Sequence, residues 1–317
     1  MEEIKVSVLC LAYNHQDYIR NALEGFVMQK TNFKFEVLIH DDASTDKTAD
    51  IIREYESKYP DIIKPIYQTE NQYSKGIKIS KMYQYPRARG EYLAWCEGDD
   101  SWTDPLKLQK QIDFLDSHRD YSMCVHRICV NDIRTKTEAY IPVINSDRDY
   151  NVDEVIRGGA IFQLSSVVFR KELLLQKPEC FEAKGFGDIQ LYIYGAICGK
   201  IRALSDIMSV YNHGTAGSWT VNVARNTEKS ILHSKEKLRM LKAVNEYYNY
   251  KYDEPLGYMI KRTEFNIAYD EQNKEELKKS EYRGFLRERK RAERKSFLRK
   301  HFPFLVKIKN TLNILKK

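Results

Sequence analysis

Two kinds of apolar pattern alternate along the first third of the chain. Residues 4–12 (IKVSVLCLA), 34–40 (KFEVLIH) and 91–96 (EYLAWC) are short, near-continuous apolar runs rich in β-formers. Such runs read as strands buried on both faces. Between them, Tyr18-Ile19, Ala22-Leu23 and Phe26-Val27 recur at helical spacing behind Asn14, a candidate cap. Ile51-Ile52 and Tyr55 repeat the pattern behind Ser44 or Thr45, with Asp46 and Thr48 also in capping positions. A third strand is predicted over 62–67, a helix over 77–85, and another helix opening at Asp104-Pro105, with proline at its first position. Strand–helix alternation implies βαβ units around a mostly parallel sheet, and ligands of open α/β sheets bind beyond the carboxyl ends of the strands. Asp41-Asp42 and Asp99-Asp100 both fall at such ends.

Beyond about residue 120 the pattern is mixed. Strands are predicted over 121–130, 159–170 and 201–211, and a helix over 187–198. From about Ala224 onward the chain reads as helical. The stretch 213–219 (HGTAGSW) suits a loop over a site.

Three carboxylates lie within four residues at Glu97-Gly98-Asp99-Asp100, on a tight turn after a strand. They repel one another unless a cation sits between them, and oxygen ligands suit Mg²⁺ or Mn²⁺ completed by substrate phosphates. A solvated acidic turn is the alternative. A carboxylate at the 41–42 strand end could accept from the N–H of a nucleotide base or from ribose hydroxyls. The segment after the first strand, Ala12-Tyr13-Asn14-His15-Gln16-Asp17, contains no glycine. That counts against a P-loop, a Rossmann dehydrogenase or a sugar nucleotidyltransferase.

VSVLCLAYN–HQDYIRNAL, EVLIHDDASTDKTADII and ARGEYLAWCEGDDSWTDPLKLQKQ, in this order, resemble glycosyltransferase family 2, the inverting enzymes of the GT-A fold. The match is close over 4–118 and loose to about 220. The resemblance implies a donor-nucleotide half over 1–118 and an acceptor half over 119–220, together a GT-A catalytic domain, followed by a helical region over 221–317. It implies that Ala12, Tyr13, Asn14, Asp41 and Asp42 hold the nucleotide, with Asp42 the stronger match of the pair. The family's DxD motif falls on Glu97-Gly98-Asp99, with Glu first. Asp99 is then expected on ribose or metal, Asp100 on metal, and Glu97 in a secondary place. The family's catalytic aspartate matches Asp188 in Phe186-Gly187-Asp188, with Gly187 where an acidic residue is usual. His213 is a further candidate for metal or phosphate, and Arg89 for the diphosphate. Trp102 and Trp219 could wall the sugar or acceptor pocket. The implied chemistry is a metal-assisted single displacement from a nucleotide sugar, UDP-sugar favoured, to a glycan or lipid-linked glycan. A non-catalytic sugar-nucleotide-binding protein of the same fold is the competing class.

Composition then changes one part of the picture. The net charge of +7 on 317 residues is uneven: 283–317 holds thirteen Lys/Arg against two Glu, which leaves the preceding 282 residues at −4. Phe297, Leu298, Phe302, Phe304, Leu305, Ile308, Leu312 and Leu315 interleave with these cations, and Pro303 interrupts them. A cationic segment with apolar residues reads as a membrane-surface element, ahead of a solvated, packing or partner-binding helix and of nucleic-acid binding. With no signal-peptide layout and no spanning run, the expected location is cytoplasmic, peripheral on the inner face of the membrane. Six cysteines without CxxC spacing predict reduced, mostly buried thiols.

Overall fold

A computed structural model describes residues 3–159, 161–182, 187–215 and 226–301, with side chains through 294. One mixed sheet organises it: β1 (Ile4–Ala12), β2 (Lys34–Asp41), β3 (Ile66–Tyr67), β4 (Tyr92–Trp95), β5 (Ser101–Trp102), β6 (Tyr121–Asp132), β7 (Thr137–Ile141), β8 (Arg148–Tyr150), β9 (Val168–Arg170) and β10 (Lys200–His213). Its order is β3-β2-β1-β4-β9-β6-β10-β5, with β7 on β6 and β8 on β10. β1, β2, β3 and β4 pair in parallel, as do β6 and β10. Antiparallel β9 joins the two parallel halves.

Side-chain alternation explains why the strands read as unbroken apolar runs. Val6, Val8 and Cys10 point to one face, and there they pack with α1 (Ile19–Val27), α2 (Thr48–Lys58) and α3 (Lys107–Ser117). Leu9, Leu38, Trp95, Met123 and Val125 point to the other. That face is covered by α4 (Val152–Gly158) and α6 (Gly187–Cys198), which follows the short α5 (Lys171–Leu175). The C-terminal helices α7 (Thr227–Tyr247) and α8 (Asp253–Asp270) contribute Met240, Leu241, Val244, Leu256 and Met259 to the same layer. They share the core of the first 220 residues. α9 (Arg283–His301) begins by packing Phe285 on Tyr258 and Phe265, and its residues from 287 to 294 are exposed.

Several local expectations are corrected. Over 62–67 only Ile66–Tyr67 is strand, with one isolated bridge at Ile63, because Pro65 lacks an N–H for a ladder. Over 77–85 the helical part is a single π-type turn at Ser80–Gln84. Over 159–170 the chain runs through a 3₁₀ turn (Leu164–Ser166) before the strand Val168–Arg170. The helix expected from Asp104-Pro105 begins at Lys107, after a turn in which Asp104 Oδ1 accepts from Leu106 N–H. All six cysteines are free, and Cys10, Cys96 and Cys124 are buried. Among the described residues no helix is long and apolar enough to cross a membrane.

Candidate active site

The loops after β1 and β2 are stitched together at the carboxyl edge of the sheet. Asn14 has a left-handed backbone (φ 54°), and its Oδ1 accepts from Thr45 N–H at 2.8 Å while Asn14 N–H donates to Ser44 Oγ at 2.9 Å. His15 N–H donates to Thr48 Oγ1 (2.7 Å) and Gln16 N–H to Asp46 Oδ2 (3.1 Å). Asn14 therefore caps no helix: the N–H groups of Tyr18 and Ile19 turn back to His15 O. Ser44 and Thr45 likewise lie ahead of α2, whose start is held by Asp46 Oδ1 accepting from Thr48 N–H at 2.9 Å. Ala12 is buried beneath this junction, and the Tyr13 ring is left exposed.

Asp41 and Asp42 are both buried but differ in what they hold. The Asp42 carboxylate accepts from the backbone N–H groups of Gln72 (2.7 Å) and Tyr73 (3.0 Å), so it anchors the 71–74 loop. Asp41 Oδ2 accepts one long bond from Ser44 N–H (3.3 Å), and Oδ1 is buried with no partner among the described residues. Burial pushes the Asp41 carboxyl up. An unsatisfied buried acceptor costs about 1–3 kcal/mol, which a donor on a bound ligand removes. The residue favoured from sequence was Asp42; the open acceptor belongs to Asp41.

The acidic turn seats itself on the first of these loops. Gly98 N–H donates to Leu11 O at 2.8 Å, and a Cβ on Gly98 would stand 2.9 Å from both His15 Nδ1 and Ile19 Cδ1. Only glycine permits that approach. Asp100 is buried and turned inward, accepting from Asn212 N–H (3.2 Å) and Gln163 Nε2 (2.8 Å). Asp99 Oδ2 accepts from Thr215 Oγ1 (3.0 Å), and Asp99 O accepts from Asn212 Nδ2 (2.8 Å). The Glu97 side chain is exposed to solvent, with protein packed densely around its base. Its carboxylate has no hydrogen bond or ion pair among the described residues. That confinement and the charges of Asp99 and Asp188 push Glu97 up to about 8. Burial, then Asp99 and Glu97, raise Asp100 as well. Asp188 stands in the first turn of α6, and burial raises it despite the Ile189 N–H on its carboxylate (2.8 Å).

Carboxylates crowded until they retain protons form a donor set that a hard divalent cation would relieve. Glu97 and Asp99 keep unshared oxygens and fit this role; the Asp100 carboxylate is committed to Gln163 and Asn212. Among the described residues no three His, Cys, Asp or Glu side chains already converge on one metal position. Two other sequence candidates are placed elsewhere, and a third is held by a partner of its own. Arg89 lies at the amino ends of the strands, where its guanidinium holds the buried Glu36 at 2.6 and 2.9 Å, because it precedes β4 instead of following it. Trp102 is buried against Phe26 with its Nε1 donating to Ser165 O at 3.0 Å, so it is core and no pocket wall. His213 Nδ1 lies 3.2 Å from Asp132 Oδ2, across the β6–β10 pair. Trp219 lies outside the described residues. Gln163 and Asn212 were not legible in advance, because they arrive from distant segments and no spacing signals them; Thr215 falls in the 213–219 stretch expected to form a loop over the site.

Residues 7–173 match the Glycosyl transferase family 2 pattern. The chain belongs to glycosyltransferase family 2. It is 39% identical over 215 residues to an uncharacterised protein of Mycobacterium tuberculosis, covering 68% of this chain and 60% of that one, so it spans about three fifths of the length of this relative. A putative teichuronic acid biosynthesis glycosyltransferase of Bacillus subtilis, TuaG, is 36% identical over 110 residues (35% and 41% of the two chains). Among solved structures, S. aureus TarS in complex with UDP-GlcNAc superposes with a TM-score of 0.55 at 20% identity, over 79% of this chain and 73% of that one. A Pyrobaculum calidifontis mannosyltransferase in complex with GDP-Man and Mn²⁺ gives 0.54 at 18% identity, over 96% and 83%. The family and its structural neighbours give this chain the GT-A fold, a mostly parallel sheet flanked by helices with a C-terminal helical extension.

Proposed function

We propose that this family 2 glycosyltransferase moves a sugar from a nucleotide-diphosphate sugar, a UDP-sugar foremost, to a hydroxyl of a glycan or lipid-linked glycan with inversion, in the building of a cell-surface polysaccharide. The observation that carries the reading is the nearness of Asp188 to Glu97: a carboxylate in the first turn of α6 stands close enough to the acidic turn at the β4 end for its charge to act there. The likeness to TuaG and the UDP-GlcNAc and GDP-Man complexes of the neighbours support the substrate class.

In this reading the open Oδ1 of Asp41 accepts from the base N–H, the exposed Tyr13 ring lies along the base, and Asp99 reaches the ribose or the ion. Bound Mg²⁺ or Mn²⁺, held by Glu97 and Asp99, supplies neutralisation of the diphosphate charge. Asp188 accepts the proton of the acceptor hydroxyl as its oxygen bonds to the anomeric carbon, while the bond from that carbon to the diphosphate oxygen breaks. Burial strengthens Asp188 as a base, and the α6 N-terminus favours its ionised form. The basic segment 283–317 holds the enzyme peripherally on the cytoplasmic face of the membrane; its residues from 302 lie outside the described ones. A panel of UDP-, GDP- and dTDP-sugars tested with Mn²⁺ or Mg²⁺ checks the reading, and binding of none of them with either ion removes it.

A further inference from the structure

The buried stripe of α7 changes character toward this site. Val244, Leu241 and Met240 lie in the core layer that also holds Leu191 and Tyr192 of α6. Lys237 and His233 continue the same face toward the helix start, at helical spacing from Met240 and Val244. Phe181 packs on both Tyr194 near the end of α6 and Tyr248 just past α7, so the starts of the two helices lie at one end, where Lys237 acts on Asp188. Lys237 is half-buried and makes no hydrogen bond or ion pair among the described residues. Its neighbours on α7 are paired: Lys235 with Glu271 at 2.7 Å and Lys242 with Glu264 at 2.8 Å. Arg262 of α8 lies close enough to repel Lys237 and also has no anionic partner among the described residues.

These charges stand in order. Asp99 acts on Glu97, Glu97 feels Asp188, Asp188 feels Lys237, and Lys237 feels Arg262. The pairing of α7 with α8 agrees: Ser230 Oγ donates to Asp270 at 3.1 Å and Asn245 Nδ2 to Asp253 at 2.8 Å, a register that sets Arg262 opposite Lys237. A half-buried ammonium without a counter-ion and beside a second cation is a cost that an anionic ligand removes. Asp188 is no ion-pair partner for it, since no oxygen of Asp188 comes within 4 Å of Lys237.

We propose that Lys237 and Arg262 form an anion subsite for the acceptor, so that the hydroxyl facing Asp188 belongs to an acidic glycan bearing a phosphodiester or a carboxylate near the reacting position. This rests on the transferase reading, and the experiment keeps the two apart. The full chain is titrated with poly(glycerol phosphate), polygalacturonate and neutral dextran, and separately with UDP plus Mn²⁺ as a readout of the donor end. One or both acidic polymers bind and dextran does not; the stronger of the two identifies phosphodiester or carboxylate. Lys237→Met and Arg262→Gln each weaken that binding about tenfold, the scale of one charge-assisted contact. Lys237→Arg retains it, and so does Lys251→Met, which removes an exposed charge at the other end of the helix pair. UDP binding is unchanged in all four variants. Should Lys237→Met also lose UDP binding, and so fold poorly, the exposed Arg262→Gln carries the test. The proposal is overturned if dextran binds as well as the acidic polymers, if Lys237→Met and Arg262→Gln bind like the parent, or if Lys251→Met weakens binding as much as they do. Failure of the parent chain to bind UDP counts against the donor reading alone and leaves the polymer result intact.

Discussion

Lys107 is fully buried in the first turn of α3, directly behind the acidic turn, and its surroundings predict how stability depends on pH. Its amine donates to Gln111 Oε1 at 2.8 Å and lies 4.1 Å from the centre of the Trp102 ring, with no carboxylate beside it. Burial lowers its pKa from 10.5 to about 7, against small opposing effects of Cys96 and Cys124. Unfolded, the lysine keeps its proton up to about 10.5; folded, it gives the proton up near 7. Between those values the unfolded state binds more protons at this site, so the contribution of Lys107 to stability rises with pH, by up to about 1.4 kcal/mol per pH unit. Below pH 7 the cost of burial is fully present, at about 5 kcal/mol. Burial holds the thiols of Cys96 and Cys124 (the latter at about 12) and the imidazole of His126 neutral in the fold, and their ionisation in the unfolded chain is common to both proteins and cancels in the comparison. Lys107→Met removes the titration while keeping the side-chain length. Urea denaturation of both proteins from pH 7.5 to 9.5 is expected to show the variant's relative advantage shrinking by about 2–3 kcal/mol over the two units. A difference between the two proteins that stays constant across this range would refute the reasoning, because it would mean that Lys107 titrates alike in both states.

Arg89→Met is expected to destabilise the fold by about 2 kcal/mol, since it leaves the buried Glu36 carboxylate without its cation, and to leave nucleotide binding unchanged in a titration. Ala43 has φ 61° in the loop after β2, so Ala43→Gly should raise stability by up to about 1 kcal/mol; a lower thermal midpoint would show that the strain is not there. In liposome flotation with anionic vesicles, the full chain should float and a 1–282 truncation should not, and equal flotation of both rejects a membrane role for the basic segment.

The carboxyl-edge position of the acidic residues was legible because it follows from strand periodicity alone. β1, β2 and β4 announce themselves as apolar runs, and the residues that follow them must lie at one edge of a parallel sheet. Which acid does what was not legible. Asp42 and Asp100 carry the charges the motifs call for, but the 71–74 loop and the Gln163 and Asn212 contacts claim their oxygens. Those partners come from outside the motifs, and sequence spacing contains no record of them. Arg89 and Trp102 were misplaced for a related reason: proximity to a motif in sequence does not fix the end of a strand or the face of a turn. The region from about Ala224 reads as a separate helical part, yet Met240, Leu241 and Leu256 join the core layer that holds Leu191 of α6.

The most direct test of the central claim pairs two readings on one variant, Asp188→Asn, with the nucleotide sugar and ion found in the donor panel. If Asp188 is the base, the variant binds the donor like the wild type while transfer falls by about 10²–10⁴-fold, the range of general-base catalysis. Transfer at the wild-type rate with donor binding intact would contradict the account.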